Sequence, residues 1–237
     1  MFDRCSLRAS SGDDGRVLTL DRLVVRRLAV GPLDNDAYLL TCRATGAQLL
    51  VDAAAEPDRL LALVREGSAE GRLDTVVTTH AHRDHVGALA AVVAATGAVP
   101  AAGADDAAAV EEATGVEVAR LLHHGDSLRV GDLDLAVVGL RGHTPGSVAL
   151  AYTEPDAASA PDAVAGRTHL FTGDSLFPGG VGNTQRDPER FARLLGDVVA
   201  RVFDVYRDDT VVLPGHGRPT TLGAERPHLE EWRARGW

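Results

Sequence analysis

The chain has no lysine. All 24 basic residues among its 237 are arginine, and with so much Ala, Gly, Val and Asp this reads as the codon bias of a GC-rich genome. Against 34 acidic residues the net charge is −10. The clustered positive surface that neutralises nucleic-acid phosphates or docks on anionic lipid is therefore missing. The expectation is no nucleic-acid partner, no membrane partner, and an acidic surface that keeps the protein soluble. Cysteine is almost as scarce. Cys5 and Cys42 stand far apart with no CxxC pair, which excludes a disulfide framework or a thiolate zinc site and fits a reducing cytoplasm. No apolar run is long enough to span a bilayer, and the opening MFDRCSLRAS lacks the apolar stretch of a signal peptide. A cytoplasmic location is the resulting expectation. Hydrophobic content of 45% and charged content of 24% are ordinary for a globular chain.

What the chain does hold is concentrated. THAHRDHVG (79–87) places three histidines and an aspartate within six positions, directly after the apolar run LDTVVTT (73–79). Residues 1–16 are polar and rich in Gly, Ser and Asp, and read as a loose lead-in; residues 17–237 read as one domain. Strands are expected at 22–30, 37–42 and 47–53, a helix at 56–67, and a buried strand at 73–79. Helices follow at 86–97 and 104–115, with a brief strand between them. A hairpin with Gly131-Asp132 at its turn comes next. Two strands are separated by the Ala/Pro/Asp-rich insert 154–167, expected to be a mobile loop. The helix at 187–203 has the clearest apolar spacing, with Asp187 as its cap. A strand ending in LPGHG and a short terminal helix complete the pass. Sheets packed on one another with helices outside is the architecture this order suggests.

One loop cannot aim four side chains at one ion. Alternate residues of an extended segment point the same way, so His80 and His82 can share an ion, while Asp84 and His85 are placed for a second. The remaining ligands should stand at other strand ends. They do: GLRGHTPGSV supplies His143, LFTGDSLF supplies Asp174, and VVLPGHGRP supplies His216, each following a glycine that lets the backbone turn sharply. His80, His82 and His143 would hold a first ion, Asp84, His85 and His216 a second, with Asp174 bridging. Imidazole and carboxylate without thiolate suit zinc, and also iron or manganese. Two such ions about 3.5–4 Å apart would share a water and make hydroxide available near neutral pH. His123, His124, His169 and His228 lack this context and read as non-ligands; Arg83 reads as solvent-facing.

With LDNDAYLL, LLVDAA, THAHRDHVG, GHTPGS, LFTGDSLFPGG and LPGHG in this order, the chain resembles the metallo-β-lactamase-fold superfamily from about Leu28 to the terminal helix. Within it the resemblance is to the glyoxalase II (hydroxyacylglutathione hydrolase)-like branch. The resemblance implies an α+β fold, an αββα sandwich of two mixed sheets with helices outside and metals at one sheet edge. It implies that Asp52 orients a ligand histidine. It also implies thioester hydrolysis of the hydroxyacyl-thiol kind, on a small-molecule substrate. A bridging hydroxide would attack the carbonyl, with Asp84 accepting or relaying the proton. Asn183, Arg186 and Arg218, in loops beside the inferred site, are candidate substrate contacts.

Two departures stand out. Ser147 occupies the place of a second histidine in the family's GHTPGH. The family's longer members carry a C-terminal helical domain with basic and aromatic glutathione contacts, whereas after His216 only a short terminal helix is expected here, and the chain has no lysine and only three tyrosines. The thiol carrier is thus expected to differ, or the substrate to be another ester. Three alternatives follow: a lactonase, an iron-dependent persulfide dioxygenase using His80, His143 and Asp174, and a non-catalytic metal-stabilised binding protein. A β-lactamase is disfavoured by an aspartate at the bridging position, and an RNA-processing role by the acidic surface.

Overall fold

The computed structural model describes residues 17–68 and 70–236; the expected lead-in and Cys5 lie outside these. The β-branched and leucine-rich segments of the first half become strands β1 (Val17–Thr19), β2 (Leu23–Val30), β3 (Asn35–Cys42) and β4 (Gln48–Val51), joined antiparallel. Three parallel strands extend the same sheet: β5 (Thr75–Thr78), β6 (Val99–Gly103) and β7 (Arg120–Leu122). Parallel neighbours need a crossover, and helices provide each one. These are α1 (Pro57–Gly67), then α2 (Arg83–Val86) with α3 (Leu89–Thr96), then α4 (Ala107–Thr114). Strand order in space follows chain order, β1 through β7.

The second sheet begins with β8 (Ser127–Val130), β9 (Leu133–Gly139), β10 (Val148–Thr153) and β11 (Thr168–Gly173), all antiparallel. A small hairpin, β12 (Leu176–Phe177) and β13 (Gly180–Val181), leads to α5 (Pro188–Val198). Then β14 (Val211–Pro214) adds parallel to β11, and β15 (Thr220–Thr221) closes the edge. Two short helices end the chain, α6 (Leu222–Glu225) and α7 (Leu229–Arg235).

Side-chain alternation gives each sheet two apolar faces. The inner faces meet in one core, with Val25, Leu40 and Leu49 of the first sheet against Leu135, Leu150 and Phe171 of the second. The outer face of the first sheet, including Leu39, Leu50 and Val76, packs on Leu60, Val64 and Val92 of α1 and α3. Leu170 and Val212 on the other outer face pack on Leu194 and Val198 of α5 and on Trp232 of α7. The layers are therefore helix, sheet, sheet, helix, an αββα sandwich with two mixed sheets.

Several boundaries differ from the pattern reading. The helix expected at 86–97 starts only at Leu89, and a separate helical turn, α2, forms over Arg83–Val86 where a loop was expected; between them the Ala88 N–H donates to the Ala53 carbonyl and holds the chain against the turn after β4. The long helix at 187–203 loosens after Val198 into a π-helical turn, Val199–Phe203. Strands β1, β7, β12, β13 and β15 are too short to leave a periodic signal. The insert 154–167 is tied down: Asp21 accepts from the Ser159 and Ala160 N–H groups, and Asp162 from that of Thr19.

Candidate metal centre

Parallel β4 and β5 in one sheet and parallel β11 and β14 in the other end at the same edge of the sandwich. There the two sheets are joined backbone to backbone: the Val148 N–H donates to the Thr79 carbonyl and the Asp36 N–H to that of Gly215. The loops leaving β5, β9, β11 and β14 at this edge, with the short helix α2 that follows β5, carry the seven candidate ligands; Asp84 and His85 stand on α2 and the other five in the loops. Close approach depends on glycine: a Cβ at Gly215 would lie 2.4 Å from Asp174 Oδ1 and 2.7 Å from His85 Cε1.

The donor atoms converge. His80 Nε2 lies 3.1 Å from His82 Nδ1 and 3.3 Å from His143 Nε2. His216 Nε2 stands 3.3 Å from Asp84 Oδ2, and His85 Nε2 stands 3.7 Å from the same oxygen. Asp174 lies between the two sets, with Oδ1 3.3 Å from His85 Nε2 and Oδ2 3.6 Å from His216 Nε2 and 3.8 Å from His143 Nε2. His80, His82 and His143 form one group with all donor atoms within 4.8 Å of one another; Asp84, His85 and His216 form a second, and His80, His85 and Asp174 a third.

In four of the five clustered histidines the other ring nitrogen is held from behind. His143 Nδ1–H donates to the Asn183 carbonyl at 2.7 Å, and His216 Nδ1–H to the Leu33 carbonyl at 3.0 Å. A carbonyl only accepts, so each Nε2 keeps its lone pair for the centre. Asp52, buried and left-handed at φ 58°, does the same for two more. Its Oδ2 accepts from His85 Nδ1 at 2.8 Å and from the Thr79 hydroxyl at 2.8 Å, and that hydroxyl accepts in turn from His80 Nδ1.

Electrostatics separate the two sides. Burial, reinforced by the neighbouring rings of His85, His143 and His82, drives His80 well below the usual imidazole range. Burial likewise lowers His143. Burial opposes charge on His85 too, but the carboxylates of Asp52 and Asp174 outweigh it and push this ring up to about 10. Burial would raise Asp174, yet the His85 ring 3.3 Å away and the surrounding imidazoles hold its carboxyl below the ordinary range. The pocket thus favours positive charge beside Asp174. His85 Nε2 and Asp174 Oδ1 are buried with no hydrogen-bond partner among the described residues, a demand that a divalent cation satisfies. The residues present fit such an ion. Access is from the side of Asp84 and His216, whose side chains are 31% and 25% exposed.

The remaining candidates scatter. Asn183 is exposed; its carbonyl holds His143 and its side chain accepts from the Gln185 N–H. Arg186 and Arg218 are exposed, without a hydrogen-bond or ion-pair partner among the described residues, and Arg186 has φ 59°. Arg83 is exposed on α2. His123 and His124 are exposed, His228 pairs with Glu231, and His169 is buried at the far end of β11 from Asp174. Two residues escaped the pattern reading. Asn35 Nδ2 donates to Asp84 Oδ2 at 3.0 Å and lies 3.2 Å from His216 Nε2. Arg190 on α5 donates to the Gly142 and His143 carbonyls, clamping that loop. Asn35 was visible within LDNDAYLL; Arg190 had no local signal, since it reads as one more charge on a helix surface.

Among known proteins, the chain is 32% identical to a hydroxyacylglutathione hydrolase of Polaromonas sp. over 82% of its own length and 66% of that protein's. ETHE1 from Myxococcus xanthus superposes with a TM-score of 0.70 at 27% identity, covering 89% of this chain and 84% of that one. TTHA1623, crystallised in a di-iron-bound form, superposes with a TM-score of 0.62 at 31% identity, covering 84% and 96%. Residues 30–216 match the Metallo-beta-lactamase superfamily, the span that runs from the end of β2 to the last of the clustered histidines. The chain belongs to that superfamily.

Proposed function

We propose that this protein is a binuclear metal-dependent hydrolase acting on a thioester of the hydroxyacyl-thiol kind. One observation carries the reading: two donor triads, His80–His82–His143 and Asp84–His85–His216, flank a single carboxylate, Asp174, that reaches both. When bound, two divalent ions, with zinc the first choice and iron or manganese next, would lower the pKa of a shared water and polarise the carbonyl under attack. Asp84 holds an ionised carboxylate at the open side of the centre: burial would raise it, but the Asn35 hydrogen bond and the His85 and His216 rings keep it low. It is placed to take a proton from an attacking water. Asn35 and Asp52 keep the side chains in register while that happens. In this reading Arg186 and Arg218 offer their exposed guanidinium forks to a carboxylate on the substrate. The likeness to a hydroxyacylglutathione hydrolase supports a thioester over a lactone.

A second reading is oxygen chemistry at a single iron held by His80, His143 and Asp174. The 3.8 Å approach of His143 to Asp174 is compatible with it, and the di-iron-bound form of TTHA1623 supports iron as the metal, as a pair of ions and not a single one. Two measurements decide. Metal analysis of protein purified without added metal should return nearly two ions per chain. Activity on lactoyl thioesters of several thiols, on acyl-homoserine lactones and on a thiol persulfide should be highest on a thioester. A single iron with oxygen uptake on the persulfide would replace the hydrolase reading, and a lactone turned over about a hundredfold faster would replace the thioester.

A further inference from the structure

Asp106 stands immediately before α4, where an aspartate ordinarily accepts from the first free N–H groups of the helix. Here its side chain makes no capping bond. The carboxylate is 1% exposed and turned the other way. Its Oδ2 accepts from the Ala81 N–H at 3.0 Å, between His80 and His82, and from the Thr144 hydroxyl at 2.6 Å, next to His143. Its Oδ1 accepts from the Gly146 N–H at 2.7 Å. Thr144 is held in turn by Ser147, whose Oγ lies 2.5 Å from the Thr144 hydroxyl. One buried group thereby ties the loop after β5 to the loop after β9.

The approach is made by backbone. A Cβ at Gly146 would lie 2.3 Å from the Asp106 nitrogen, so only glycine lets the His143 loop reach the carboxylate. His80, His82 and His143 are the whole of the first triad, and these two loops carry all three. Asp52 touches His85 directly, but among the described residues no side chain from outside the donor groups is seen to hold His82 or His143 in the same way. We propose that Asp106 is the positioning residue of the three-histidine triad, setting the separation of His143 from His80 and His82 and so the affinity of the ion held there.

An asparagine at 106 would keep the shape but turn an NH2 toward one of three converging donors, leaving that loop without its acceptor. Residues that orient ligands from behind typically change metal affinity ten- to a hundredfold. The inference rests on the two-ion reading, so metal-free wild-type protein is titrated first with cobalt(II), followed by absorbance. Fewer than two bound ions in wild type would remove that reading itself. In Asp106→Asn one ion should weaken at least about tenfold and the other stay within about twofold. The spectrum of the ion that remains should match that of His82→Ala, which strips the same triad, and not that of His216→Ala.

Both affinities unchanged would overturn the proposal. Equal weakening of both ions, with a lowered thermal midpoint, would also overturn it, because that is what a merely structural role predicts. If Asp106→Asn does not fold, Thr144→Val removes a single donor and keeps the carboxylate. It should weaken the same ion by about threefold, as the loss of one of three hydrogen bonds implies. An unaltered titration there would refute the assignment.

Discussion

Asp174 is the residue on which the centre turns. Its two oxygens face different partners, His85 on one side and His143 and His216 on the other, and Oδ1 has no hydrogen bond of its own. Asp174→Asn keeps the shape and removes the charge. Activity should fall at least about a hundredfold, the scale of a preorganised electrostatic group, and the second ion should be bound more weakly. Steady-state kinetics with metal analysis would check this, and full occupancy with unchanged turnover would defeat the bridging assignment. His123→Ala and His124→Ala provide the control, since both are exposed and belong to none of the donor groups; their metal content should match wild type.

Among the elements, the strand-to-loop junctions matter more than the strands. β14 delivers His216 through Gly215, and the isolated bridge between Asn35 and His216 sets the register of that delivery against β3. The Tyr38 hydroxyl donates to the Pro214 carbonyl at 2.7 Å, fixing the strand end one residue earlier. Gly215→Ala would press a methyl group into Asp174 and His85. The expected result is loss of one ion per chain and of activity, with only about 1–3 kcal/mol of lost stability, the usual cost of overpacking. Metal content and thermal denaturation measured on the same sample separate the two effects. A variant that keeps both ions would mean that the junction tolerates a shift of Asp174. On the other sheet, α5 begins at Asp187, whose carboxylate accepts from the Glu189 and Arg190 N–H groups. That cap sets the helix start from which Arg190 reaches back to the His143 loop.

For the whole molecule, the sandwich is apolar along its length and polar at both ends of the inner core. One end is the candidate metal centre. At the other, His169 and Glu154 are buried 3.9 Å apart, and neither His169 nitrogen has a hydrogen-bond partner among the described residues. Burial, helped by the Arg167 charge, lowers His169 to about 4, and burial raises Glu154. The unfolded chain takes up a proton at His169 as pH falls through about 6.5, whereas the folded chain resists until about 4. The unfolded state therefore gains on acidification, and stability is lost across that window. At about 1.4 kcal/mol per unit, the His169 contribution is about 3 kcal/mol. Urea denaturation at pH 7 and pH 4.5 should show a steeper loss in wild type than in His169→Gln, which removes this titration but leaves Glu154. Parallel curves would show that His169 is already paired in solution.

Legibility followed the distance over which each feature was decided. His80, His82, Asp84 and His85 lie within six consecutive residues, and that clustering by itself points to a metal. His143, Asp174 and His216 could be read because each repeats one local device, an apolar strand, a glycine and a ligand-type residue. The two-sheet order was legible because alternation and helical spacing are local signatures of which face is buried. Tertiary structure decided the rest. Whether Asn35, Asp106 or Arg190 serves the centre depends on which loop lies across from it, and each looks locally like an ordinary turn, cap or surface residue, whereas Asp52 is already marked by the resemblance of LLVDAA. The same holds for the register of β3 against His216 and for the break between α2 and α3, both set by hydrogen bonds to segments distant in sequence. The sequence by itself determined the ligand types and the strands that end in them. Only the packing of one sheet on the other brought those ends to a single edge, because the apolar inner faces are buried against each other in one core and backbone hydrogen bonds join the two sheets at that edge.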